Sequence, residues 1–132
     1  KPLFKNQENI KIIKDAMYAS SNEPGGTSYR SRLEDKRFTF AGKTGSSQIR
    51  KFTEEQREAE VKQEQLKYEN RDHALFIAFA PVNDPKYAIS VVVEHGGTGS
   101  SAAAPIAKKV IKKVLERHSL RQSINNLPGD PI

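Results

Sequence analysis

Two short apolar runs separated by a turn constrain the fold more than any other part of the sequence. The first run is Ala74–Ala80, and the second, Tyr87–Val93, is rich in β-branched residues. Asn83-Asp84-Pro85 between them is a typical turn sequence, so the pair predicts an antiparallel hairpin. The first run is apolar at consecutive positions, which indicates an inner strand covered by helices on both faces. We therefore expect strands near 73–82 and 87–95.

A third strand and two helices complete the predicted architecture. Phe38 and Phe40 alternate with polar or small residues, which predicts a half-buried strand near 36–46. Apolar residues at helical spacing predict an amphipathic helix over 6–19, with Asn6 as its N-cap. A second apolar stripe predicts a helix over 102–118, with Ser101 as its N-cap. The fold class is α+β: a three-stranded antiparallel sheet packed by an N-terminal and a C-terminal helix.

The remaining segments are polar. Residues 50–72 are dense in both charge signs, and Glu58–Lys62 and Glu64–Lys67 have the spacing of helical ion pairs, so we expect an exposed, partly helical insertion. We expect a flexible tail at 119–132, leaving 1–118 as the folded body. With zero cysteines, disulfides and thiolate metal sites are excluded. The histidines His73, His95 and His118 are too scattered along the chain to predict a metal site.

The net charge of +6 leaves a non-enzymatic alternative open. A small basic α+β module could bind nucleic acid or an anionic surface through the face at Lys108–Lys113. The basic residues are spread along the chain, however, and no arginine-rich element interleaved with aromatic residues is present. The charge distribution therefore argues against nucleic acid.

The end of the predicted third strand carries the candidate site. Along an extended strand, Thr44 and Ser46 point to one face, with Lys43 close by and no side chain at Gly45 to block a ligand. Hydroxyl donors beside an ammonium and an approachable backbone suit a carboxylate or a developing oxyanion. Gly42-Lys43-Thr44 resembles the end of a phosphate-binding loop motif. That motif requires a second glycine five residues before Gly42, and position 37 is Arg37, so a phosphate-binding loop is excluded.

Lys43-Thr44-Gly45 resembles the Lys-Thr-Gly motif of penicillin-binding proteins and serine β-lactamases. A polar insertion follows it, then two apolar strands, Glu94-His95-Gly96-Gly97, and Ala102–Ala107 opening a basic helix. This succession is similar to the C-terminal part of the transpeptidase domain of penicillin-binding protein 2, the class B, cell-elongation type. The likeness covers roughly residues 5–118.

The resemblance implies a D,D-transpeptidase that cross-links peptidoglycan stem peptides by serine acyl transfer. It implies that Thr44, Gly45 and Ser46 bind the substrate, that the Ser46 N–H contributes to the oxyanion hole, and that Lys43 supplies positive potential. It further implies β-lactams as substrate mimics, and neither a metal nor a cofactor. The parent protein is then expected in the bacterial inner membrane with this domain in the periplasm, beside a membrane glycosyltransferase and an elongation complex.

The family's nucleophile motif, Ser-x-x-Lys, is absent, because no serine of this chain is followed three residues later by lysine. Ser20-Ser21-Asn22 and Ser123-Ile124-Asn125 match the family's Ser-x-Asn motif, but their positions relative to Lys43 favour chance. We therefore expect a soluble fragment of the domain that is inactive alone. Its strand at 87–95 would be an open edge, which predicts self-association of the fragment.

Overall fold

The computed structural model describes residues 5–49, 54 and 62–125. In chain order, these residues form α1 (Gln7–Asn22), β1 (Ala41–Ser47), β2 (His73–Ala80), β3 (Tyr87–Val93) and α2 (Ala104–Asn125). The strands pair in the antiparallel order β1-β2-β3, so the longest apolar run is the central strand. The predicted α+β fold class and the hairpin are confirmed. Among the described residues, no helix is both long and apolar enough to cross a bilayer.

The core lies between one face of the sheet and α2. Small and aromatic residues of β2 alternate into it, because successive side chains of a strand point to opposite faces. Phe40 and Phe76 meet there edge to face, with ring centroids 6.1 Å apart. The core residues are Phe40, Ala74, Phe76, Ala78, Ala80, Ala103, Ala104, Ala107, Ile111 and Leu115.

The other face of the sheet is only partly covered. Lys14 of α1 lies over the Phe79 ring, 5.8 Å from its centroid. Ile77 of the central strand is 52% exposed, and Ile13 of α1 is 58% exposed. The expectation that helices cover β2 on both faces therefore holds fully only for the face that packs on α2.

The third strand begins later than predicted. Residues Lys36–Phe38 form a 3-10 turn, and β1 starts at Ala41. Asp35 explains the difference, because its side chain accepts from the Arg37 N–H at 3.0 Å and its carbonyl accepts from the Phe38 N–H at 2.9 Å. A capping aspartate offers the backbone local bonds that compete with a sheet ladder.

Both helices extend past their predicted ends. Asn6 caps α1 as predicted, accepting from the Glu8 N–H at 2.9 Å, but α1 continues to Asn22. Ser101 is not an N-cap: it lies inside a π-helical turn, Gly99–Ala103, whose N-cap is Thr98. Residues 119–125, which we expected in a flexible tail, continue α2, since no glycine or proline interrupts them. The rest of that tail, 126–132, lies outside the described residues.

Part of the charged insertion can be compared with its prediction. Residues 50–53 and 55–61, including Glu58, lie outside the described residues. The stretch that contains Glu64 and Lys67 is not α-helical: it forms two 3-10 turns, Gln63–Gln65 and Tyr68–Asn70, with Leu66 in an extended conformation between them. The spacing of charges alone was therefore insufficient to specify a helix here.

Candidate functional site

The predicted site residues lie on β1, at one edge of the sheet. Thr44 pairs with Phe76 and Ser46 with Ala74 of the central strand, so both hydroxyl side chains are on the same face. Lys43 and Ser46 are exposed, and Thr44 and Gly45 are half-buried. The site is therefore reachable from solvent. Their proposed roles in binding and catalysis remain predictions.

The outer edge of β1 divides into a closed part and an open part. Ser21 of α1 closes the first part: its Oγ accepts from the Gly42 N–H at 2.9 Å and donates to the Gly42 carbonyl at 3.3 Å. Asn22 closes the preceding outward-facing position, at Phe40 just before β1: its Nδ2 donates to the Phe40 carbonyl at 2.9 Å. The end of α1 therefore occupies the outward-facing carbonyl of Phe40 and the outward-facing N–H and carbonyl of Gly42.

The open part follows from the alternation of an antiparallel ladder. Successive residues of an edge strand turn their N–H and C=O groups alternately inward and outward. Because Gly42 turns outward to Ser21, Thr44 and Ser46 turn outward as well. The Thr44 carbonyl fits this assignment, since it accepts from Nζ of Lys43 at 2.8 Å rather than from β2. The Ser46 N–H is thus presented at an edge beside which the described residues place no strand.

A chain of hydroxyl groups flanks the open edge. The Thr44 hydroxyl donates to Thr27 Oγ1 at 3.0 Å, and Thr27 Oγ1 lies 3.1 Å from Ser20 Oγ. Sequence reasoning missed Thr27, and it interpreted Ser20-Ser21-Asn22 as a chance motif match. Pro24-Gly25-Gly26 is a sequence that ends a helix in a loop, but nothing in the sequence indicates which strand that loop contacts.

On the other side, the glycine-rich turn after β3 rests on β1. The Ser46 hydroxyl donates to the Gly97 carbonyl at 3.4 Å. A Cβ on Gly99 would lie 2.3 Å from the Leu75 carbonyl oxygen and 2.7 Å from that of Gly45. Only glycine permits this approach, so the turn and the Gly45 backbone are in direct contact.

Two of the three histidines, which are scattered along the sequence, are close in space. The rings of His73 and His95 are 4.9 Å apart, and His73 Nδ1 accepts from the His95 N–H at 3.0 Å. The hairpin register brings them together, because His73 begins β2 and His95 follows β3. The third, His118, bonds to Tyr87 instead, at 2.8 Å. Within the described part of the chain, no group of three potential ligands could hold a metal ion.

The arrangement at residues 43–46 combines an ammonium, two hydroxyls and an outward backbone N–H within a few residues of one strand. Such an edge can pair with an extended peptide through main-chain hydrogen bonds. The hydroxyls and the cation suit a carboxylate at the end of that peptide. An outward N–H that is already in place can stabilise an oxyanion without reorganisation.

Comparison with known proteins places these residues in a family context. The family profile "Penicillin binding protein transpeptidase domain" matches residues 4–112. The Peptidoglycan D,D-transpeptidase MrdA of Haemophilus influenzae is 36% identical over 115 residues, covering 87% of this chain and 17% of the relative. That of Salmonella typhimurium is 32% identical over 105 residues, covering 80% and 16%. The chain therefore spans about one sixth of the length of these curated relatives.

Solved structures agree with the sequence relatives. Penicillin-binding protein 2 of Helicobacter pylori, in a complex with MreC, superposes with a TM-score of 0.66 and 31% identity, covering 83% of this chain and 17% of that one. Penicillin-binding protein 2 of Pseudomonas aeruginosa, in complex with WCK 5153, gives a TM-score of 0.60 and 30% identity, covering 83% and 20%.

Proposed function

The chain belongs to the penicillin-binding protein transpeptidase family, and from this premise we propose that it supplies the substrate-binding strand of a peptidoglycan D,D-transpeptidase. Residues 1–118 would form the C-terminal portion of the transpeptidase domain. The nucleophilic serine would come from a part of the domain that this sequence does not include. The 132-residue chain is accordingly proposed to be inactive alone.

The observation that carries the proposal is the open edge of β1 at Thr44 and Ser46. Ser21 and Asn22 occupy the edge groups of residues 42 and 40, so an incoming peptide can pair only from Thr44 onward. The free edge therefore coincides with the two hydroxyls and with Lys43. An extended stem peptide that paired there would have its terminal carboxylate and its reacting carbonyl set in register by the main chain.

The proposed roles follow from the position of each group. On binding, the Thr44 hydroxyl turns from Thr27 and the Ser46 hydroxyl turns from the Gly97 carbonyl, and both donate to the terminal carboxylate of a D-Ala-D-Ala peptide, while Lys43 adds positive potential. A serine attacks the penultimate carbonyl, the resulting oxyanion accepts from the Ser46 N–H, and the terminal D-alanine leaves as the bond to it breaks. The acyl group then passes to an amine of a neighbouring stem peptide. No metal or organic cofactor takes part in this scheme.

Ligands, partners and location are proposed from the same family membership. β-Lactams would acylate the same serine as substrate mimics. The H. pylori relative forms a complex with MreC, which supports an elongation-complex partner for the parent protein, alongside a membrane glycosyltransferase. We place the parent in the inner membrane with this domain in the periplasm.

The test isolates the Ser46 N–H. Proline lacks a backbone N–H, and an edge strand tolerates it where that N–H faces outward. In the full-length protein, Ser46→Pro should lower the rate of acylation by a fluorescent penicillin by roughly 10²–10³. Ser46→Ala keeps the N–H and is expected to lose much less. Equal rates in the two variants would contradict the oxyanion role, and labelling of the 132-residue chain alone would contradict its inactivity.

The alternative of a basic binding module has its own measurement. Lys109, Lys112 and Lys113 of α2 are exposed, and Lys108 is half-buried. A nucleic-acid-binding protein would retain DNA or RNA with a steep dependence on salt. We expect no retention of the chain at physiological ionic strength.

A further inference from the structure

A reciprocal pair of hydrogen bonds fastens the end of the polar connection between β1 and β2. Nε2 of Gln63 donates to Oδ2 of Asp72 at 2.9 Å, and Oε1 of Gln63 accepts from the Asp72 backbone N–H at 2.9 Å. Asp72 is only 7% exposed, and its Oδ1 accepts from the Ile49 N–H at 3.4 Å. A carboxylate is seldom buried to this degree without such partners. Gln63, at the shorter distance, and the Ile49 N–H are therefore the donors that allow the Asp72 carboxylate to be buried here.

Asp72 in turn holds the glycine-rich turn that follows β3. Its carbonyl accepts from the Gly97 N–H at 2.8 Å. Gly97 has φ +83°, in the left-handed region, and a Cβ on it would lie 3.1 Å from Cβ of Gln63. The Gly97 carbonyl accepts from the Ser46 hydroxyl at 3.4 Å. A continuous series of contacts thus runs from Gln63 through Asp72 and Gly97 to Ser46.

The turn has little freedom to shift without moving the strand. Gly99, two residues after Gly97, is in direct contact with the Gly45 backbone, as the short distances from its ideal Cβ show. A displacement of the turn would press on Gly45 or withdraw from it. Either change alters the position of the neighbouring Ser46 N–H and hydroxyl.

We propose that Gln63 and Asp72 are positioning residues for the site at Thr44–Ser46. Neither residue touches the substrate in the proposed scheme. They act by fixing the Gly97 turn, which fixes the edge of β1. The consequence for acylation rests on the proposed function, whereas the contacts themselves can be tested without it.

A swap of the two side-chain types provides the test. Q63E removes the amide donor and puts a second carboxylate against Asp72, so the pair should open. In the double variant Q63E/D72N, the carboxylate at position 63 can accept both from the backbone N–H and from the new amide at position 72, so the pair should reform. Q65E is the matched control: it makes the same charge change on the same turn, where the Gln65 Oε1 only accepts from the Lys62 N–H at 2.8 Å, a bond that a carboxylate keeps.

Amide hydrogen exchange of Gly97 in the 132-residue chain is the first measurement. Q63E should speed this exchange by about tenfold or more, since the acceptor that protects the amide is displaced. The double variant should restore protection, and Q65E should leave it unchanged. A double variant that fails to fold, or that leaves Gly97 as exposed as Q63E does, would overturn the pairing.

Acylation of the full-length protein by a fluorescent penicillin is the second measurement. The acylation rate should fall in Q63E and recover in the double variant, which a purely destabilising effect of two substitutions would not produce. If Gly97 exchange responds to Q63E while acylation stays at the wild-type rate, the positioning role is wrong. A wild-type protein that penicillin does not label would instead overturn the proposed function, with the exchange data still deciding the Gln63–Asp72 pair.

Discussion

Removal of the Ser21 hydroxyl should destabilise the chain, because that single group serves both α1 and the edge of β1. Ser21 is fully buried, with 0% exposure. Its Oγ accepts from the Gly42 N–H, donates to the Gly42 carbonyl and lies 3.0 Å from the Ser28 hydroxyl. Ser21→Ala leaves the buried Gly42 N–H without an acceptor. Ser28 is less affected, since its hydroxyl also bonds to the Ser20 carbonyl at 3.1 Å.

The magnitude follows from these contacts. An unsatisfied buried N–H costs about 1–3 kcal/mol, and the longer bond to the Gly42 carbonyl adds about 0.5 kcal/mol. Alanine is the better helix former, which returns about 0.5 kcal/mol at this position in α1. We therefore expect the free energy of unfolding to fall by about 2 kcal/mol. For a chain of 132 residues, a loss of this size corresponds to a drop in Tm of roughly 8 °C.

Urea unfolding followed by circular dichroism is the assay, with the free energy extrapolated to zero denaturant. Ser20→Ala is the matched control, since it removes a neighbouring hydroxyl of α1 whose bond to Thr27 is exposed to solvent. We expect the control to change the free energy of unfolding by less than about 0.5 kcal/mol. If Ser21→Ala and Ser20→Ala cost the same, the buried hydroxyl does not secure the edge of β1 and the reasoning fails.

Three other outcomes are expected. The side-chain and backbone hydrogen bonds from Arg37 lower the pKa of Asp35 from 3.8 to about 2. The stabilising effect of this exposed pair is therefore present above pH 3.8 and lost as the pH falls toward 2. An NMR titration of the Asp35 carboxyl should give a midpoint near pH 2, and Arg37→Ala should raise that midpoint toward 3.8. Gly99→Ala should destabilise the chain by about 1–3 kcal/mol in urea unfolding, because its Cβ meets backbone atoms that cannot rotate away, whereas Ser100→Ala on the exposed side of the same turn should not. The open edge of β3 should drive self-association at high concentration, and Val92→Lys, at a residue 58% exposed, should suppress it in light scattering; a strict monomer before the substitution would contradict this.

The sequence predicted those elements whose signals are local and mutually consistent. The hairpin of β2 and β3 required only two apolar runs and a turn, and the two strands pair in the antiparallel register that this pattern implies. Asn6 caps α1 because the residue type and the following helical stripe agree. The alternation of Phe38 and Phe40 predicted a strand near 36–46, and its continuation puts Lys43–Ser46 on an extended strand, as the structure has it. That alternation had placed Phe38 in the strand, where the structure has a turn.

Apart from the local Asp35 cap that delays β1, the errors occur where tertiary contacts decide the local structure. Ser101 is a residue type that favours the N-cap position. The structure instead has a π-helical turn that starts at Gly99, where Gly99 is in direct contact with Gly45. The charges of the insertion suggested a helix, whereas Asp72 is buried and held by Gln63, which ties that segment to the sheet. Neither contact leaves a periodic signal in the sequence: Gly45 and Gly99 are far apart in the chain, and Gln63 and Asp72 are nine residues apart, beyond the spacing of a helical turn.

The need to bind an extended peptide explains both why the edge of β1 is open and why only a short part of it is open. A strand that receives a substrate must leave N–H and C=O groups unpaired, and such an edge also invites pairing with other chains. Here the end of α1 closes positions 40 and 42 through Asn22 and Ser21, and Thr27 lies against Thr44, so the free edge is short. A short edge can hold the few residues at the end of a peptide but offers little to a full strand.

By contrast, β3 pairs along its whole length only with β2, and nothing in the described residues closes its outer edge. Self-association should therefore proceed through β3, and the edge that carries Ser46 should remain available in the associated form.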